Sequence, residues 1–238
     1  MIRLFDALQL ERLERDLFRG TTFDAQQKRI FGGEVIAQAL LAAYATVEGR
    51  LCHSLHAYFM RPGNPSIPIV LEVDRARDGG SFTTRRVVAV QNGEQILNLS
   101  ASFQTAEHGL EHHSDMPAVP AAPPVRAYEE SQEPARYRPI FIERMDSNPG
   151  DSTEGRLSLW MRAADETLGD QRASHVLLAY ASDLELLPVA LQPHGLKWNA
   201  ANLQLASLDH ALWFHRPFDF NTWLLHTMNS PTASAGRG

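Results

Sequence analysis

The feature that most constrains the fold is a pair of segments that are apolar on nearly every helical face. The first reads GGEVIAQALLAAYATV at residues 32–47, and the second reads ASHVLLAYASDLELLPVAL at residues 173–191. A helix of this kind must be covered all round, and in a protein dissolved in water the economical cover is a curved sheet wrapped about it. The sequence therefore predicts two buried helices, each wrapped by a sheet.

Each apolar segment is followed by a related motif, so the chain contains an internal repeat. Residues 54–63 read SLHAYFMRPG and residues 207–218 read SLDHALWFHRPF. Both contain Ser-Leu, a His-Ala pair, an aromatic strand and Arg-Pro. The repeat predicts two copies of one unit built from a helix, a strand and a turn.

Strand patterns surround these motifs. Three strand-like runs, at residues 67–78, 81–91 and 94–104, follow the first motif, and Asn92-Gly93 between the last two is a hairpin signal. The alternating run RLSLWMR opens the second copy. The predicted class is α+β, with each helix covered by an antiparallel sheet.

The repeat also predicts the domain boundaries. We expect an N-terminal unit at residues 1–111, a Pro-rich linker at 112–153 and a C-terminal unit at 154–238. The first copy runs 42 residues from Pro62 to Gln104, whereas the second runs 21 from Pro217 to Gly238. By this comparison the second sheet is expected to lack its last hairpin, which makes it incomplete at the C-terminus.

The charge balance argues against nucleic acid as a partner. Lys and Arg number 22 against 28 Asp and Glu, and no basic run or basic stripe with interleaved aromatic residues stands out. Nucleic-acid-binding proteins present such patches to the phosphate backbone.

The start of the chain, MIRLFDALQLERLERDLFRG, places charged side chains among its leucines. This pattern fits neither a signal peptide nor a membrane span. Leu10, Leu13 and Leu17 recur at helical spacing, which favours a short amphipathic surface helix and no membrane partner. The single cysteine, Cys52, excludes an internal disulfide framework and suits a reducing compartment. We expect a cytoplasmic protein.

The string HGLEH at residues 108–112 has the spacing of an inverted zinc-peptidase motif, which needs both histidines on one helical face. Here the string contains Gly109 and runs into the Pro-rich segment, so no helix is available to align the ligands. We expect a solvated turn here, and neither a metal nor another cofactor in the protein.

Asp183 is the carboxylate that most needs an explanation, because it stands in the apolar string LLAYASDLELLP. An unpaired carboxylate in an apolar interior costs roughly several kcal/mol. The repeat places Ser207 at the start of the strand beside this helix. A carboxylate next to a hydroxyl can hold a water for general-base hydrolysis of an activated carbonyl, or it can serve as a structural strut. Spacing alone leaves both open.

Two further features belong to the candidate site. Gly32-Gly33 before the first buried helix permits a tight turn, and free N–H groups there could also receive an oxyanion. Among the histidines near the strands, His53 is the one expected to neighbour the active site. Ser207 is not expected to act as a nucleophile, since no G-x-S-x-G elbow surrounds it.

Six strings carry a resemblance to a known family. In chain order they are FRG, FGGEVIAQAL, HSLHAYFMRPG, RDGGSFTTRRV, YASDLELLPVALQPHG and LDHALWFHRPF. Together they resemble the type II acyl-CoA thioesterases, the TesB-like family, from about Leu17 to Gly238. The resemblance implies a double hotdog fold, in which each of two long helices is wrapped by an antiparallel sheet.

The resemblance also implies a site. In this family an Asp, a Ser or Thr and a Gln activate a water that attacks the thioester carbonyl without an acyl-enzyme. Asp183 matches the Asp of the YASD motif and Ser207 matches the hydroxyl residue. The Gln belongs to the last strand of the second hotdog, which this chain is expected to lack. Its counterpart in the first copy, Gln104, lies in the other half.

The resulting expectation is an enzyme that hydrolyses fatty acyl-CoA to a free fatty acid and CoA. An enoyl-thioester hydratase is the second enzymatic reading, with His194 eleven residues after Asp183. A non-catalytic acyl-CoA binding protein is the third. Exposed sheet edges lead us to expect a homo-oligomer.

Overall fold

A computed structural model describes residues 4–22, 27–125, 139–145, 155–164, 167, 169–198 and 200–238. The helices in these ranges are α1 (Leu4–Ala7), α2 (Gly32–Tyr44), α3 (Gln171–Ala181) and α4 (Leu186–Leu191), and a 3₁₀ turn spans Gln192–His194. The strands are β1 (Glu11–Glu14), β2 (Leu17–Gly20), β3 (Leu51–Phe59), β4 (Ile69–Asp78), β5 (Phe82–Gln91), β6 (Glu94–Gln104), β7 (Ile140–Arg144), β8 (Arg156–Ala163), β9 (Asp209–Trp213) and β10 (Leu224–Asn229).

The described strands form two antiparallel sheets. One has the order β1-β2-β4-β5-β6-β3-β9, and the other has the order β10-β8-β7. The predicted runs at 67–78, 81–91 and 94–104 correspond to β4, β5 and β6, and RLSLWMR corresponds to β8. The hairpin signal was also right: Asn92 and Gly93 both have positive φ, 50° and 78°, as a two-residue hairpin turn of type I′ requires.

Helix α2 is the centre of the first unit. Eleven of its 13 residues are buried, which agrees with a segment that is apolar on nearly every face. The strands around it present their apolar faces to the helix, with Leu71, Val87, Leu97, Leu99 and Phe103 all in the core. The helix therefore depends on its sheet for cover, as the sequence predicted.

Helices α2 and α3 pack against each other in antiparallel fashion. At one end the rings of Phe31 and Tyr180 meet edge to face with centroids 5.0 Å apart. At the other end the Tyr44 hydroxyl lies 2.9 Å from His175 Nδ1 and accepts a hydrogen bond from the backbone N–H of Cys52. Burial raises the pKa of the Cys52 thiol to about 12, so this cysteine is an inert core residue.

The two halves share one sheet, which the repeat did not predict. Strand β9, from the second motif, pairs with β3 of the first, so that Ser54 faces Trp213 and Tyr58 faces Asp209. The sequence pattern fixes which residues form a strand but not which distant strand they pair with. Two copies of the motif thus meet in the middle of the molecule.

Two expectations about local structure were wrong. The N-terminal leucines form no helix over Leu10, Leu13 and Leu17; instead β1 and β2 make a hairpin in which Glu11 pairs with Arg19. Leu13 is 42% exposed, so the helical spacing of these leucines marks no buried face. Within the expected linker 112–153, Ile140–Arg144 form strand β7 and pair with β8; residues 126–138 and 146–153 of that linker lie outside the described residues.

The segment Gln171–His194 has the length and hydropathy of a membrane span, but only by composition. In the structure this segment consists of four consecutive elements: α3, a turn, α4 and a 3₁₀ turn. Half of its most apolar window is buried inside the protein. Core helices of soluble proteins pass the same test, so the segment belongs to the protein core.

Candidate functional site

Asp183 lies in a turn between two helices, not inside one long helix as the sequence suggested. Helix α3 ends at Ala181, where the Ser182 backbone N–H bonds to Leu178 O at 2.8 Å. Glu185 then takes a left-handed conformation with φ 64°, and α4 starts at the next residue. This break turns Asp183 out of the helix and toward the start of α2.

Both carboxylate oxygens of Asp183 have a partner. The Ser207 hydroxyl donates to Oδ1 at 3.1 Å, and the Gly33 backbone N–H donates to Oδ2 at 3.0 Å. Phe31, at the N-cap of α2, has no polar side chain, so Asp183 caps this helix from another part of the chain. A negative charge at a helix N-terminus is favoured by the helix dipole.

The Asp183 carboxyl titrates above its usual range. Burial raises its pKa, and four nearby groups oppose this: the charge of His210, the Ser207 hydroxyl, the Gly33 N–H and the charge of Arg29. Since burial is the largest of these effects, the direction is upward. A carboxylate with a raised pKa is a stronger base than one in water, which suits it to take a proton from water.

His210 contacts the turn that carries Asp183 through the preceding residue, Ser182. The Ser182 hydroxyl donates to Ala179 O at 3.0 Å and lies 2.9 Å from His210 Nε2. The single hydroxyl proton is used by Ala179, so Nε2 must carry the proton and donate to Ser182. Burial lowers the pKa of His210, against the charges of Asp183 and Asp209, and this favours the neutral imidazole that makes the bond.

The two glycines at the start of α2 permit close contact between the halves. A Cβ on Gly33 would lie 2.3 Å from Tyr180 O, and a Cβ on Gly32 would lie 2.7 Å from Asp183 Oδ2. Only glycine lets the backbone of α2 approach α3 and the carboxylate this closely. The Gly32 N–H has no hydrogen-bond partner among the described residues.

Replacing Gly33 with Ala is expected to lower the free energy of unfolding by about 2 kcal/mol, because the new methyl group forces α2 away from α3. The shift also lengthens the bond from the Gly33 N–H to Asp183, so hydrolytic activity should fall with it. Urea denaturation measures the first effect. Gly109→Ala is the matched control, since a Cβ at Gly109 meets nothing within 4 Å; equal stability of both variants would contradict the packing argument.

The structure brings Asp183, Ser207 and the Gly32-Gly33 turn together, but not His53. The His53 ring bonds to the Ser102 hydroxyl at 2.8 Å and packs on Phe82. Phe59, at the other end of β3, is the residue beside Gly32. Phe59 follows His53 by six positions on β3, which is about 20 Å at 3.3 Å per residue. His53 is therefore not a neighbour of the Asp183 site.

Three other sequence candidates also lie elsewhere. Gln104 ends β6 and faces Leu51 and Phe82 in the register, on the His53 end of the sheet. His194 is exposed at the end of the 3₁₀ turn, with α4 between it and Asp183. The HGLEH string lies in an exposed irregular segment, where its histidines share no helical face.

Sequence reasoning missed two residues that act on this site, His210 and Arg29. His210 is one of the histidines near the strands to which the sequence assigns no role in the site, although it stands three residues after Ser207. Arg29 donates from Nη2 to Leu205 O at 3.0 Å, which ties it to the segment that carries Ser207. Its place two residues before the FGG turn is the one signal in the sequence that could have indicated its role.

The arrangement of Asp183 and Ser207 can hold a water molecule. Each Asp183 oxygen accepts one hydrogen bond and can accept another. The Ser207 hydroxyl donates to Asp183, and its oxygen can still accept a hydrogen bond from a water. A water that donates to both groups has its own lone pair free to attack. In the part of the chain that the structure describes, no group of His, Cys, Asp or Glu is arranged to hold a metal ion.

Family models match both halves of the chain. Residues 21–104 match the model described as the acyl-CoA thioesterase N-terminal domain, and residues 130–238 match the model described as acyl-CoA thioesterase. The two matches cover the two copies of the repeat, in the order the sequence analysis gave them.

Individual relatives match over nearly the whole chain. The acyl-CoA thioesterase 2 of Haemophilus influenzae is 36% identical, over 99% of this chain and 88% of that protein. The human acyl-coenzyme A thioesterase 8 is also 36% identical, over 97% of this chain and 80% of that protein. These names agree with the family that the sequence strings resemble.

A solved structure gives the fold. The acyl-CoA thioesterase II TesB2 from Mycobacterium marinum superposes with a TM-score of 0.79 at 39% identity, covering 97% of this chain and 86% of that one. A hotdog-fold protein from Alicyclobacillus acidocaldarius superposes with a TM-score of 0.74 at 20% identity, over 95% of this chain and 86% of that one. The predicted double hotdog is thereby confirmed.

Proposed function

This chain belongs to the acyl-CoA thioesterase family and is an acyl-CoA thioester hydrolase, and from that premise we propose its mechanism: a water held by Asp183 and Ser207 attacks the thioester carbonyl directly. The observation that carries the proposal is the Asp183 carboxylate with one bond from Ser207 and one from Gly33. The hydratase and the non-catalytic binding protein are not favoured, because the relatives that match nearly the whole chain are named as thioesterases.

In the proposed reaction the water donates one proton toward Asp183 and the other toward the Ser207 oxygen. As the water oxygen bonds to the carbonyl carbon, its proton passes to Asp183. The bond from carbon to sulfur then breaks, the acyl group leaves as a fatty acid, and the CoA thiolate takes up the proton. No covalent bond to the enzyme forms at any stage.

The start of α2 supplies the stabilisation that this attack needs. The carbonyl oxygen becomes negative as water adds, and the donor that we propose for it is the Gly32 N–H at the N-terminus of α2. Asp183 accepts from the neighbouring Gly33 N–H, so the base and the proposed oxyanion donor both lie at the first turn of α2.

The assay is release of CoA from palmitoyl-CoA, followed with a thiol reagent. A fatty acid and CoA in equal amounts support direct hydrolysis. Incorporation of ¹⁸O from solvent into the fatty acid and not into Asp183 in a single turnover distinguishes attack by water from attack by the Asp183 carboxylate, because hydrolysis of an acyl-Asp183 anhydride would leave label on that carboxylate in part of the molecules.

Replacing Ser207 with Ala is expected to slow hydrolysis about 10- to 100-fold, the loss of one hydrogen bond to a reacting group. It should also shift the pH profile. The Ser207 hydroxyl lowers the pKa of Asp183, so its removal raises that pKa further. Activity needs the ionised carboxylate and is lost as pH falls through its pKa; the acidic limb of kcat/KM should therefore move to higher pH.

Ser54→Ala is the matched control for this variant, because Ser54 holds the same place in the first copy of the repeat and lies on β3. Its acidic limb should coincide with that of the wild type. An unshifted limb in Ser207→Ala would show that the hydroxyl does not act on the base.

Two broader features are proposals of the same kind. A cytoplasmic location is supported by the single, free and buried Cys52. A homo-oligomer is supported by exposed strand edges, such as β10 in the described part of the second sheet. Light scattering on the purified protein gives the oligomeric state.

A further inference from the structure

A groove next to the Asp183 site has no role in the chemistry, and we propose that it binds the CoA part of the substrate, with Arg29 and Trp198 as its recognition residues. This inference rests on the proposed function, since it names where one half of the same substrate lies. The groove, called the Arg29 groove below, has a volume of about 280 Å³ and is lined by Arg29, Leu187, Pro188, Trp198, Leu203 and Leu205.

The Arg29 groove opens directly beside the reacting groups. Its residue Leu205 precedes Ser207 by two positions, and its residue Leu187 follows Asp183 by four. The Arg29 guanidinium bonds to Leu205 O at 3.0 Å, and its charge reaches the Asp183 carboxyl. The residues that line the groove are therefore joined to both reacting groups, and we place one substituent of the thioester carbonyl in it.

The walls of the groove match the CoA side of the thioester better than the acyl side. Leucines and a proline suit the methylenes and methyl groups of the pantetheine arm, but they would suit a fatty acyl chain as well. The Arg29 cation favours the CoA part of the substrate, because the CoA phosphates carry negative charge and an acyl chain carries none. Arg29 is exposed, and its one hydrogen bond to the described residues goes to Leu205 O, which leaves other guanidinium donors for a phosphate.

Trp198 adds a second indication. Its ring is 68% exposed at the rim of the groove, although burial is the usual state of a Trp side chain. A flat exposed indole is a surface on which a purine base can stack. The protein as a whole has a net charge of −6, which repels an anionic substrate, so a local cation at the entrance has a clear use.

The test compares two substrates with the same acyl chain, one a CoA thioester and the other an N-acetylcysteamine thioester, which lacks the phosphates and the adenine. With the CoA thioester, Arg29→Ala should raise KM about 10-fold, a larger effect than any change in kcat measured at a pH where Asp183 is ionised. With the N-acetylcysteamine thioester, the loss of kcat/KM in the same variant should be at least 5-fold smaller than with the CoA thioester, because only the effect of the Arg29 charge on Asp183 remains. Arg29→Lys should restore part of the CoA effect.

Lys28→Ala is the matched control, because it removes the same charge from the adjacent exposed residue, which does not line the groove. Its KM for the CoA thioester should change less than 2-fold. An equal rise of KM in both variants would mean that the general positive charge of this region, and not the groove, attracts CoA. This result would overturn the proposal.

Two other outcomes also overturn it. If Arg29→Ala lowers kcat/KM equally for both substrates, Arg29 acts through the Ser207 segment and not on CoA. If its effect grows with acyl chain length, the groove holds the acyl chain. Loss of hydrolysis in Asp183→Asn with both substrates would leave the proposed mechanism intact in either case, so the two hypotheses fail separately.

Binding of free CoA gives a measurement that does not depend on turnover. CoA should quench the tryptophan fluorescence of the wild type, and Trp198→Phe should abolish that part of the signal. Quenching by palmitate but not by CoA would reverse the assignment.

Discussion

Replacing Asp183 with Asn is expected to lower kcat for palmitoyl-CoA hydrolysis by about 10³-fold, within the range that one general base contributes. Asn keeps the shape of the side chain and one oxygen acceptor for the Ser207 or Gly33 bond, but it cannot take a proton from water. The measurement is the rate of CoA release under saturating substrate, with folding checked by circular dichroism.

Asp209→Asn is the control for this variant. Asp209 is an exposed carboxylate at the start of β9, two residues after Ser207, so its removal changes the local charge by the same amount without touching the bond network. Its kcat should stay within 2-fold of the wild type. Full activity of Asp183→Asn would refute the proposed mechanism.

The Asp183→Asn variant also tests how burial affects the pKa of Asp183. Burial raises the pKa of Asp183 in the folded protein, so between the unfolded value of 3.8 and the folded value the native state holds a proton that the unfolded state has lost. Stability from this group is present below that window and is lost as pH rises through it. Asn does not titrate, so the Tm of Asp183→Asn relative to the wild type should rise between pH 4 and pH 8.

Replacing Arg85 with Ala is expected to lower the free energy of unfolding by about 3 kcal/mol, or roughly 6–12 °C in Tm for a chain of this size. Arg85 is 2% exposed, and its guanidinium bonds to Thr46 Oγ1 at 2.8 Å, Thr46 O at 3.1 Å and Asp78 Oδ1 at 2.7 Å. Without it, buried acceptors just beyond the end of α2 lose their donors, and a cavity remains.

Arg86→Ala is the control for Arg85, since Arg86 is the next residue on β5 and is exposed. Its free energy of unfolding should stay within about 0.5 kcal/mol of the wild type. Arg85→Lys should fall between the two, because an ammonium group cannot reproduce the fork of a guanidinium. Equal unfolding curves for Arg85→Ala and Arg86→Ala would mean that these buried bonds contribute no net stability.

The sequence predicted those parts of the fold that depend on local pattern. Helix α2 and strands β4, β5 and β6 follow from period and from the Asn92-Gly93 turn, since burial of one face imposes that spacing on the residues themselves. The repeat also brought Asp183 and Ser207 together, because it relates a helix to the strand that packs on it.

What the sequence did not predict depends on contacts between distant residues. The end of α3 has no Gly or Pro signal before Pro188, and the break at Asp183 is held by Gly33, 150 residues away. The pairing of β9 with β3 and the bond from His210 to Ser182 are of the same kind. His53 misled because its place on the motif gives no information about which end of the strand faces the site.

The capping of the two helices has one last consequence. Ala45 and Ser182 are the C-caps of α2 and α3, so the next residues, Thr46 and Asp183, hold equivalent places. Asp183 reaches across to the start of α2, whereas Thr46 bonds to Arg85 and the start of α3 is capped by its own Asp170. A threonine in that place cannot act as a base.

The duplicated architecture therefore does not double the chemistry. Under the proposed mechanism, the residues that the structure describes form one such centre, in which the aspartate of one half caps the helix of the other half. Thr46, at the place that Asp183 holds in the other half, bonds to Arg85 and so contributes to the stability of the fold.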